Sequence, residues 1–297
     1  MNKKRSWTVI FLIVPLVFLF VVNGVPLLNT IIKSFTNWDG TEKYEFVGLQ
    51  NYVNLLLSEE FWLMLANSVL VLLYIPISVL IGIILSVLVF ETKKSDSFIF
   101  WVYIPQIVSS IVAGKIFHFL FSMNGPVNKF FEFLGLNAIY FFGDRASSFF
   151  VIVLCLVWMD FGWHTVYFSG FLSTQSYSIR DTLAIDGANF FTKIFKIYIP
   201  MMFDSIKNAV FISVLFCFSN IFPLIFVMTH GGPGYDTPTI DYLIYYKSFS
   251  AGANLGEASA LSVILLVFTI IGLFIKNSID IKKYKKGQFE NETEGDN

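Results

Sequence analysis

Six long apolar segments alternate with shorter polar stretches along the chain. A helix that crosses a bilayer needs about 20 apolar residues, and each segment is long enough. The segments lie at residues 7–29, 62–90, 98–121, 148–171, 206–229 and 257–279. Only helices and closed barrels satisfy the backbone within lipid, and runs of this length favour helices. The pattern therefore predicts an all-α polytopic membrane protein with six transmembrane helices, in one transmembrane domain over residues 7–281.

The distribution of positive charge predicts the orientation of these spans. If both termini lie in the cytoplasm, 14 of the 20 lysines and arginines lie on that side, five lie outside and Lys115 falls within the third span. Cytoplasmic loops carry an excess of Lys and Arg, so this split favours an N-in and C-in topology. Residues 1–6 are then a cytoplasmic N-terminus and residues 282–297 a cytoplasmic tail. The polar loop at 172–200 also lies inside.

Composition supports a membrane protein and removes several other classes. The chain is 56% hydrophobic and 14% charged, whereas soluble domains carry about 25% charged residues. The net charge of −1 gives no basic field to recruit nucleic acid. The sequence contains no G-x-x-x-x-G-K-[ST] phosphate-binding loop, and neither H-E-x-x-H nor G-x-S-x-G. These observations argue against ATP hydrolysis by that route and against a membrane hydrolase.

The loop at 172–200 carries its own helix signals. Ser178 and Asp181 have the spacing of a capping box, and Gly187 interrupts the pattern as a helix–turn–helix corner would. Apolar residues then recur at helical spacing until Pro200, which we expect to end the helix. These apolar residues are Phe190, Phe191, Ile194, Phe195 and Tyr198. Periodicity alone leaves two interpretations: an amphipathic segment on the lipid headgroups, or a face that docks on another protein.

Ionisable residues inside the spans are candidates for the substrate path. Asp160 and His164 lie four residues apart on one helical face of the fourth span, with Trp163 beside them. A polar group next to an aromatic ring suits a sugar, so we expect a substrate contact here. The alternatives are an interfacial tryptophan belt with a structural Asp160, or a proton relay through Asp160 and His164. Asn220 in the fifth span is a further candidate, because a buried amide must find partners.

The loop at 172–200 also resembles a known motif. The run from Ile185 to Ala188 (I-D-G-A), followed by Phe195, Ile197, Ile199 and Pro200, resembles the EAA loop of binding-protein-dependent ABC importer permeases. In that family the loop forms a coupling helix that inserts into a cleft on the cytoplasmic ATPase subunit. The resemblance implies a coupling role for Asp181, Thr182 and Leu183, which stand at the E-A-A positions, and for Ile185, Asp186, Gly187, Ala188, Phe190, Phe191 and Phe195.

A second motif follows the fifth predicted span. Taken alone, the cluster Gly231-Gly232-Pro233-Gly234 is a tight turn. Together with Thr229, Thr237 and the run L-G-E-A-S-A-L-S at 255–262, it resembles the sugar branch of the same permeases, of the maltose and glycerol-phosphate type. The stretches S-F-T-N-W at 34–38 and F-V-G-L-Q-N-Y at 46–52 resemble the same branch. In this branch the loop faces an extracellular binding protein, which implies that role for Thr229, Gly231, Gly232 and Pro233.

The resemblance implies a complete transporter. The chain would have the type I ABC importer permease fold and lie in a bacterial inner membrane as the first of two different permease subunits. Its partners would be the second permease, two ATPase subunits that hold ATP and magnesium, a binding protein, and a sugar or oligosaccharide. The chain itself would hold no cofactor or metal and catalyse nothing. The alternatives are a proton-coupled transporter that works alone, and a permease for peptides or phosphate esters.

Overall fold

The computed structural model describes residues 11, 13–92, 96–175, 179, 182–183, 189–250 and 252–295. Regular structure in these residues is helical apart from a single antiparallel bridge between Thr36 and Phe46. The principal helices are α1 Ile13–Lys33, α2 Gln50–Leu57, α3 Glu59–Val71, α4 Tyr74–Thr92, α5 Asp96–Ile107, α6 Ser110–Phe121, α7 Pro126–Phe133, α8 Arg145–Ser173, α9 Phe190–Met201, α10 Phe203–Asn220, α11 Phe222–Thr229, α12 Ile240–Phe249 and α13 Leu255–Gly295.

Four helical stretches are long and apolar enough to cross a membrane. They are Ile13–Lys33, Glu59–Thr92, Arg145–Ser173 and Leu255–Ser278. Two further spans are each a bent pair of helices, Ser97–Ile107 with Ser110–Phe133 and Phe190–Met201 with Phe203–Asn220. Counting each bent pair as one span gives up to six spans by length and composition. The predicted all-α membrane fold is therefore confirmed, and the predicted six spans agree with the upper count.

Two predicted spans are less regular than the apolar pattern suggests. The span predicted at 98–121 is broken after Ile107, where the chain bends by 87°; Pro105 just before the break has no N–H to donate, and Ser109 restarts the helix as its N-cap. The span predicted at 206–229 is interrupted at Ile221. Hydropathy does not report backbone hydrogen bonding, so it misses such breaks.

The helix that the sequence predicts to end at Pro200 ends at Met201, one residue later. Helix α9 runs through Pro200 to Met201, and the chain then bends by 77° before α10 begins. A π-helical turn over Ile194–Tyr198 ends two residues before the proline. Such a wide turn takes up the distortion that a proline imposes on a helix, so the bend falls two residues later.

The described residues form two compact units, and Glu59–Leu243 make up the larger one. Its core is centred on α4 and α8, which approach closely at Gly82: a Cβ there would lie 2.4 Å from the Cβ of His164. Gly162 of α8 meets α5 in the same way, since its Cβ would lie 2.4 Å from the Val102 carbonyl oxygen. Small residues let membrane helices pack backbone to backbone, so these glycines fix where the three helices cross.

The smaller unit is drawn from the residues up to Ser58 and from Ile244 onward. Its helix α13 packs against α1 and α2. The buried amide of Asn51 donates hydrogen bonds of 2.8 Å to the carbonyl oxygens of Ser34 and Thr36. Gly256 also lies against the Thr36 carbonyl and has no room for a side chain. The motif residues at 34–38, 46–52 and 255–262 thus pack together within this unit.

Candidate functional site

A buried polar cluster joins three helices inside the larger unit. Nδ1 of His164 lies 3.3 Å from the Asp160 carboxylate and 3.1 Å from its backbone oxygen. On the other side of the ring, Nε2 lies 3.3 Å from Oγ of Ser213 on α10. Ser78 of α4 donates to Asp160 at 3.4 Å, and Tyr74 donates to the Ser213 carbonyl at 3.3 Å. The cluster therefore ties α4, α8 and α10 together.

The members of this cluster differ in how open they are. The His164 side chain is fully buried and both of its ring nitrogens have partners, whereas the Asp160 side chain is 19% exposed. Trp163 is half-buried, meets the His164 ring edge-on and stacks on Tyr167 at 5.3 Å. His164 is thus held by its partners on α8 and α10. Asp160 and Trp163 are the members that a ligand can reach.

Asn220 lies apart from this cluster along the sequence of α10. It is the last residue of that helix, seven positions beyond Ser213, and its side chain is exposed. At 1.5 Å per residue that separation is about 10 Å along the helix axis. The structure therefore brings together Asp160, Trp163 and His164, and places Asn220 toward the end of the helix.

The partners of Asp160 and His164 were not predicted from the sequence. Tyr74, Ser78, Gly82 and Ser86 recur every four residues in α4 and form a small or polar stripe on one face of an otherwise apolar helix. All of them are buried, and the stripe faces α8 at Gly82. Polar and small residues at this spacing are typical of a helix contact inside a membrane protein. This four-residue spacing is the sequence signal from which the contact between α4 and α8 could have been predicted.

The Gly-Gly-Pro loop is held together from within. The hydroxyl groups of Thr229 and Thr237 lie 2.9 Å apart, and Thr237 donates to the Gly232 carbonyl at 2.7 Å. Gly231 donates its N–H to the Thr229 hydroxyl at 3.2 Å and has a φ of 81°, which favours glycine. These residues shape the turn, and Pro233 lies half-buried beside them. The exposed tip is formed by Gly234 and Tyr235.

Only part of the predicted coupling set falls within the described residues. Asp181, Ile185, Asp186, Gly187 and Ala188 lie outside them, as does the capping pair of Ser178 with Asp181. Among the described members, Thr182 is exposed, Phe190 is half-buried, and Leu183 is 8% exposed because it packs in the core of this chain. Phe191 and Phe195 are 66% and 56% exposed. The surface available to a partner therefore includes Thr182, Phe191 and Phe195.

The start of α9 is well defined. Asn189 has an extended backbone, and its side chain accepts a hydrogen bond of 2.8 Å from the Thr192 N–H. This is an N-cap, which fixes where the helix begins. Phe191 and Phe195 follow four residues apart, so they lie on one side of the first turns. The loop thus leads into a capped helix with two exposed aromatic rings.

Comparison with known proteins gives full-length relatives. The permease protein MsmF of the multiple sugar-binding transport system of Streptococcus mutans is 30% identical over 291 residues, which cover 96% of this chain and 97% of MsmF. The sn-glycerol-3-phosphate permease protein UgpA of Pectobacterium atrosepticum is 28% identical over 281 residues, or 92% of this chain and 93% of UgpA. No family model matches the chain.

A solved structure shares the fold. A chain of a bacterial alginate ABC transporter, crystallised with a periplasmic protein bound to an alginate pentasaccharide, superposes with a TM-score of 0.75. The two chains are 19% identical, and the match covers 94% of this chain and 95% of the other. This likeness concerns the arrangement of helices, and it extends over nearly the whole molecule.

The long apolar helices indicate a multi-pass membrane protein, and a buried polar cluster joins three of its helices. The chain belongs to the permease family of sugar ABC transport systems, because it aligns with MsmF at 30% identity over the full length of both proteins. The family resemblance that the sequence motifs indicated is therefore confirmed. As a member it is a transport subunit rather than an enzyme.

Proposed function

We propose that this chain is the first of two permease subunits in an ATP-driven importer for a sugar or oligosaccharide. The proposal rests on the 30% sequence identity with a permease of a multiple sugar-binding transport system, which extends over 96% of this chain. An extracellular binding protein delivers the substrate, and two ATPase subunits that hold ATP and magnesium supply the energy. The chain lies in a bacterial cell membrane with both termini inside, where the excess of lysine and arginine favours them.

Coupling to the ATPase runs through the loop at 172–200. The D-G-A core of the motif supports this role, and so do the exposed rings of Phe191 and Phe195 that follow it. Exposed apolar side chains in a polar loop gain stability when a partner buries them. Docking into a cleft on the ATPase buries them from water. Leu183 instead stabilises the loop from the side of the permease, since it packs in the core.

The substrate path includes the open side of the polar cluster. Asp160 offers a carboxylate that accepts hydrogen bonds from sugar hydroxyl groups, and Trp163 offers an aromatic face. His164 holds Asp160 in place and is itself fixed by Ser213. Thr229, Gly231, Gly232 and Pro233 shape the outer loop that meets the binding protein. Tyr235 at the exposed tip is the side chain that we expect to make contact there.

The first test is purification of the tagged chain from its native membrane in mild detergent, with its companions identified by mass. Recovery of a second permease and an ATPase is the expected result. Recovery of the chain alone, with uptake that an uncoupler abolishes and ATP depletion does not affect, would establish a proton-coupled transporter instead. The binding protein that co-purifies is then titrated with sugars, peptides and phosphate esters, which decides the substrate class.

The coupling role has a separate test in the reconstituted transporter. Asp186→Ala is expected to lower uptake per ATP hydrolysed while membrane insertion and assembly with the second permease stay normal. Asp204→Ala is the matched control, because Asp204 is an exposed carboxylate in α10. Loss of insertion in Asp186→Ala would show a structural loop. Unchanged uptake per ATP would show a segment that lies on the headgroups without coupling.

A further inference from the structure

The end of α4 is bonded to the helix that follows the coupling loop. The Glu91 carboxylate lies 2.8 Å from Nζ of Lys193, and its other oxygen accepts a short hydrogen bond from the Tyr198 hydroxyl. Lys193 and Tyr198 both belong to α9 and are both buried. One carboxylate on α4 thus holds two side chains of α9. We refer to Glu91, Lys193 and Tyr198 as the α4–α9 clamp.

The π turn in α9 is what brings both partners to one carboxylate. Lys193 and Tyr198 are five residues apart, and at 3.6 residues per turn they would point about 140° apart around a regular α-helix. Between them the backbone forms the π turn Ile194–Tyr198, closed by a bond from the Ile199 N–H to the Ile194 carbonyl. A π turn closes over five residues, so positions five apart fall near one face. The irregular turn and the clamp therefore depend on each other.

The clamp lies in apolar surroundings. The Phe90 ring meets the Tyr198 ring edge-on at 5.9 Å, and Ile194 beside it is fully buried. A buried lysine is tolerated when it is paired, and here its partner is Glu91. Removing the Glu91 charge would leave the Lys193 charge buried, whereas removing both charges would not. The ion pair can therefore be tested by comparing a variant that loses the Glu91 charge alone with a variant that loses both charges.

The helices on both sides of the coupling loop are attached to α4. Helix α8, which precedes the loop, packs on α4 where Gly82 meets His164. Helix α9, which follows the loop, is bonded to α4 through Glu91. A force applied to the loop thus reaches one helix at two separate points. Helix α4 also carries Ser78, which donates to Asp160 in the candidate substrate path.

From this arrangement we infer that the α4–α9 clamp transfers displacement of the coupling loop to α4, and that Glu91 is a positioning residue for the coupling of ATP hydrolysis to transport. The inference rests on the proposed coupling role of the loop. Glu91 acts through Lys193 and Tyr198 and touches neither substrate nor nucleotide in this scheme. The clamp keeps the start of α9 and the end of α4 moving as one body, so that ATPase closure reaches Asp160 rather than bending α9 alone.

The test uses the complete transporter in liposomes, with its ATPase and its binding protein, and measures sugar taken up per ATP hydrolysed. Glu91→Gln removes the charge that holds Lys193, and Tyr198→Phe removes only one hydroxyl. Both are expected to lower uptake per ATP by roughly two- to thirtyfold, the range seen for changes along a coupling path. In the double variant Glu91→Gln with Lys193→Met, thermal stability should recover because no lone charge is buried, while uptake per ATP should stay low.

Two outcomes would overturn the inference. The first is uptake per ATP at the wild-type level in Glu91→Gln and Tyr198→Phe. The second is a double variant in which uptake per ATP recovers together with thermal stability, because that would show that Glu91 serves folding alone. Asp204→Asn is the control, since Asp204 is an exposed carboxylate that pairs with the half-buried Lys207 at 2.8 Å. Asp186→Ala separates the two proposals. If it uncouples and the clamp variants do not, the clamp alone is wrong; if none uncouples, the coupling role of the loop is wrong as well.

Discussion

Arg145 donates a hydrogen bond of 2.6 Å to the side-chain oxygen of Asn67. The amide nitrogen of Asn67 in turn donates to the carbonyl oxygens of Asp236 and Pro238, at 2.9 and 2.8 Å. Asn67 is fully buried in α3, and Arg145 is the first residue of α8. One amide therefore connects the start of α8 with the segment that follows the Gly-Gly-Pro turn, and the position of this loop is set by α3 and α8.

We expect Asn67→Ala to loosen this loop. The substitution leaves two carbonyl groups and one guanidinium N–H without their partner, and each buried group so affected costs about 1–3 kcal/mol. Amide hydrogen exchange in residues 229–240 should become faster and the thermal midpoint should fall. Asn124→Ala, at an exposed turn, should change neither. Unchanged exchange in Asn67→Ala would show that the turn holds its shape without α3.

The glycines of α8 allow a comparison within a single helix. Gly162→Ala places a Cβ 2.4 Å from the Val102 carbonyl oxygen, whereas Gly170→Ala meets nothing within 4 Å. Overpacking of this kind costs about 1–3 kcal/mol, while alanine in place of an exposed helical glycine gains up to about 1 kcal/mol. The thermal midpoint of the purified protein should therefore fall for Gly162→Ala and hold or rise for Gly170→Ala. Equal midpoints would contradict the close contact between α5 and α8.

The number of spans was predictable because each crossing needs a long apolar run, and such a run is visible without neighbours. The short helix α7 also has a local signal in the sequence, since Pro126 follows Asn124-Gly125 and apolar residues recur after it. The break at Ser109 has a local signal in Pro105, because proline distorts the helix that contains it. The break at Ile221 depends on a distant partner, since the Phe222 N–H donates to Asp241, a residue 19 positions away.

The candidate sites were predictable where local spacing determines them. Asp160 and His164 lie four residues apart in one helix, and they do meet. Their partners Ser78 and Ser213 come from distant helices, so no local pattern pairs them. The same reason explains Leu183. The motif predicts that Leu183 belongs to a loop that contacts a partner protein. In the structure its side chain instead packs in the core of this chain, which a local pattern does not reveal.

The N-cap of α8 should make stability depend on pH in the acid range. Asp144 accepts hydrogen bonds from the Ser147 hydroxyl and backbone N–H, which lower the pKa of its carboxyl below 3.8. A lowered pKa in the folded state means that the contribution is fully present above pH 3.8 and is lost as the pH falls through the folded pKa. The thermal midpoint of Asp144→Ala should therefore lie below that of the wild type at pH 7, by a margin that shrinks below pH 3.8.

Asp144→Asn separates the hydrogen bond from the charge in this test. Asparagine is also a good N-cap but carries no titrating group. Its midpoint should stay close to that of the wild type at pH 7, and its advantage over Asp144→Ala should not shrink in acid. If the difference between the wild type and Asp144→Ala does not shrink in acid, another carboxyl is responsible for the acid dependence.

The break between α10 and α11 provides the last prediction. Asp241 is buried, and its carboxylate accepts hydrogen bonds from the Phe222 N–H, from the Tyr242 N–H at 3.0 Å and from the Thr239 hydroxyl. Its two oxygens face donors on both sides. An asparagine at this position offers one acceptor and one NH₂ group that only donates, so in either orientation a donor faces a donor.

We therefore expect Asp241→Asn to destabilise the larger unit by about 1–3 kcal/mol, the cost of a buried donor without an acceptor. The thermal midpoint should fall, and hydrogen exchange should rise first at the start of α11, where Phe222 loses its acceptor. Asp204→Asn makes the same chemical change at an exposed carboxylate paired with Lys207; exposed pairs contribute about 0–1 kcal/mol, so the effect there should be small. If the thermal midpoints of the two variants are equal, the second acceptor oxygen of Asp241 is not what stabilises this break, and the apolar packing around Ile221 must hold it instead.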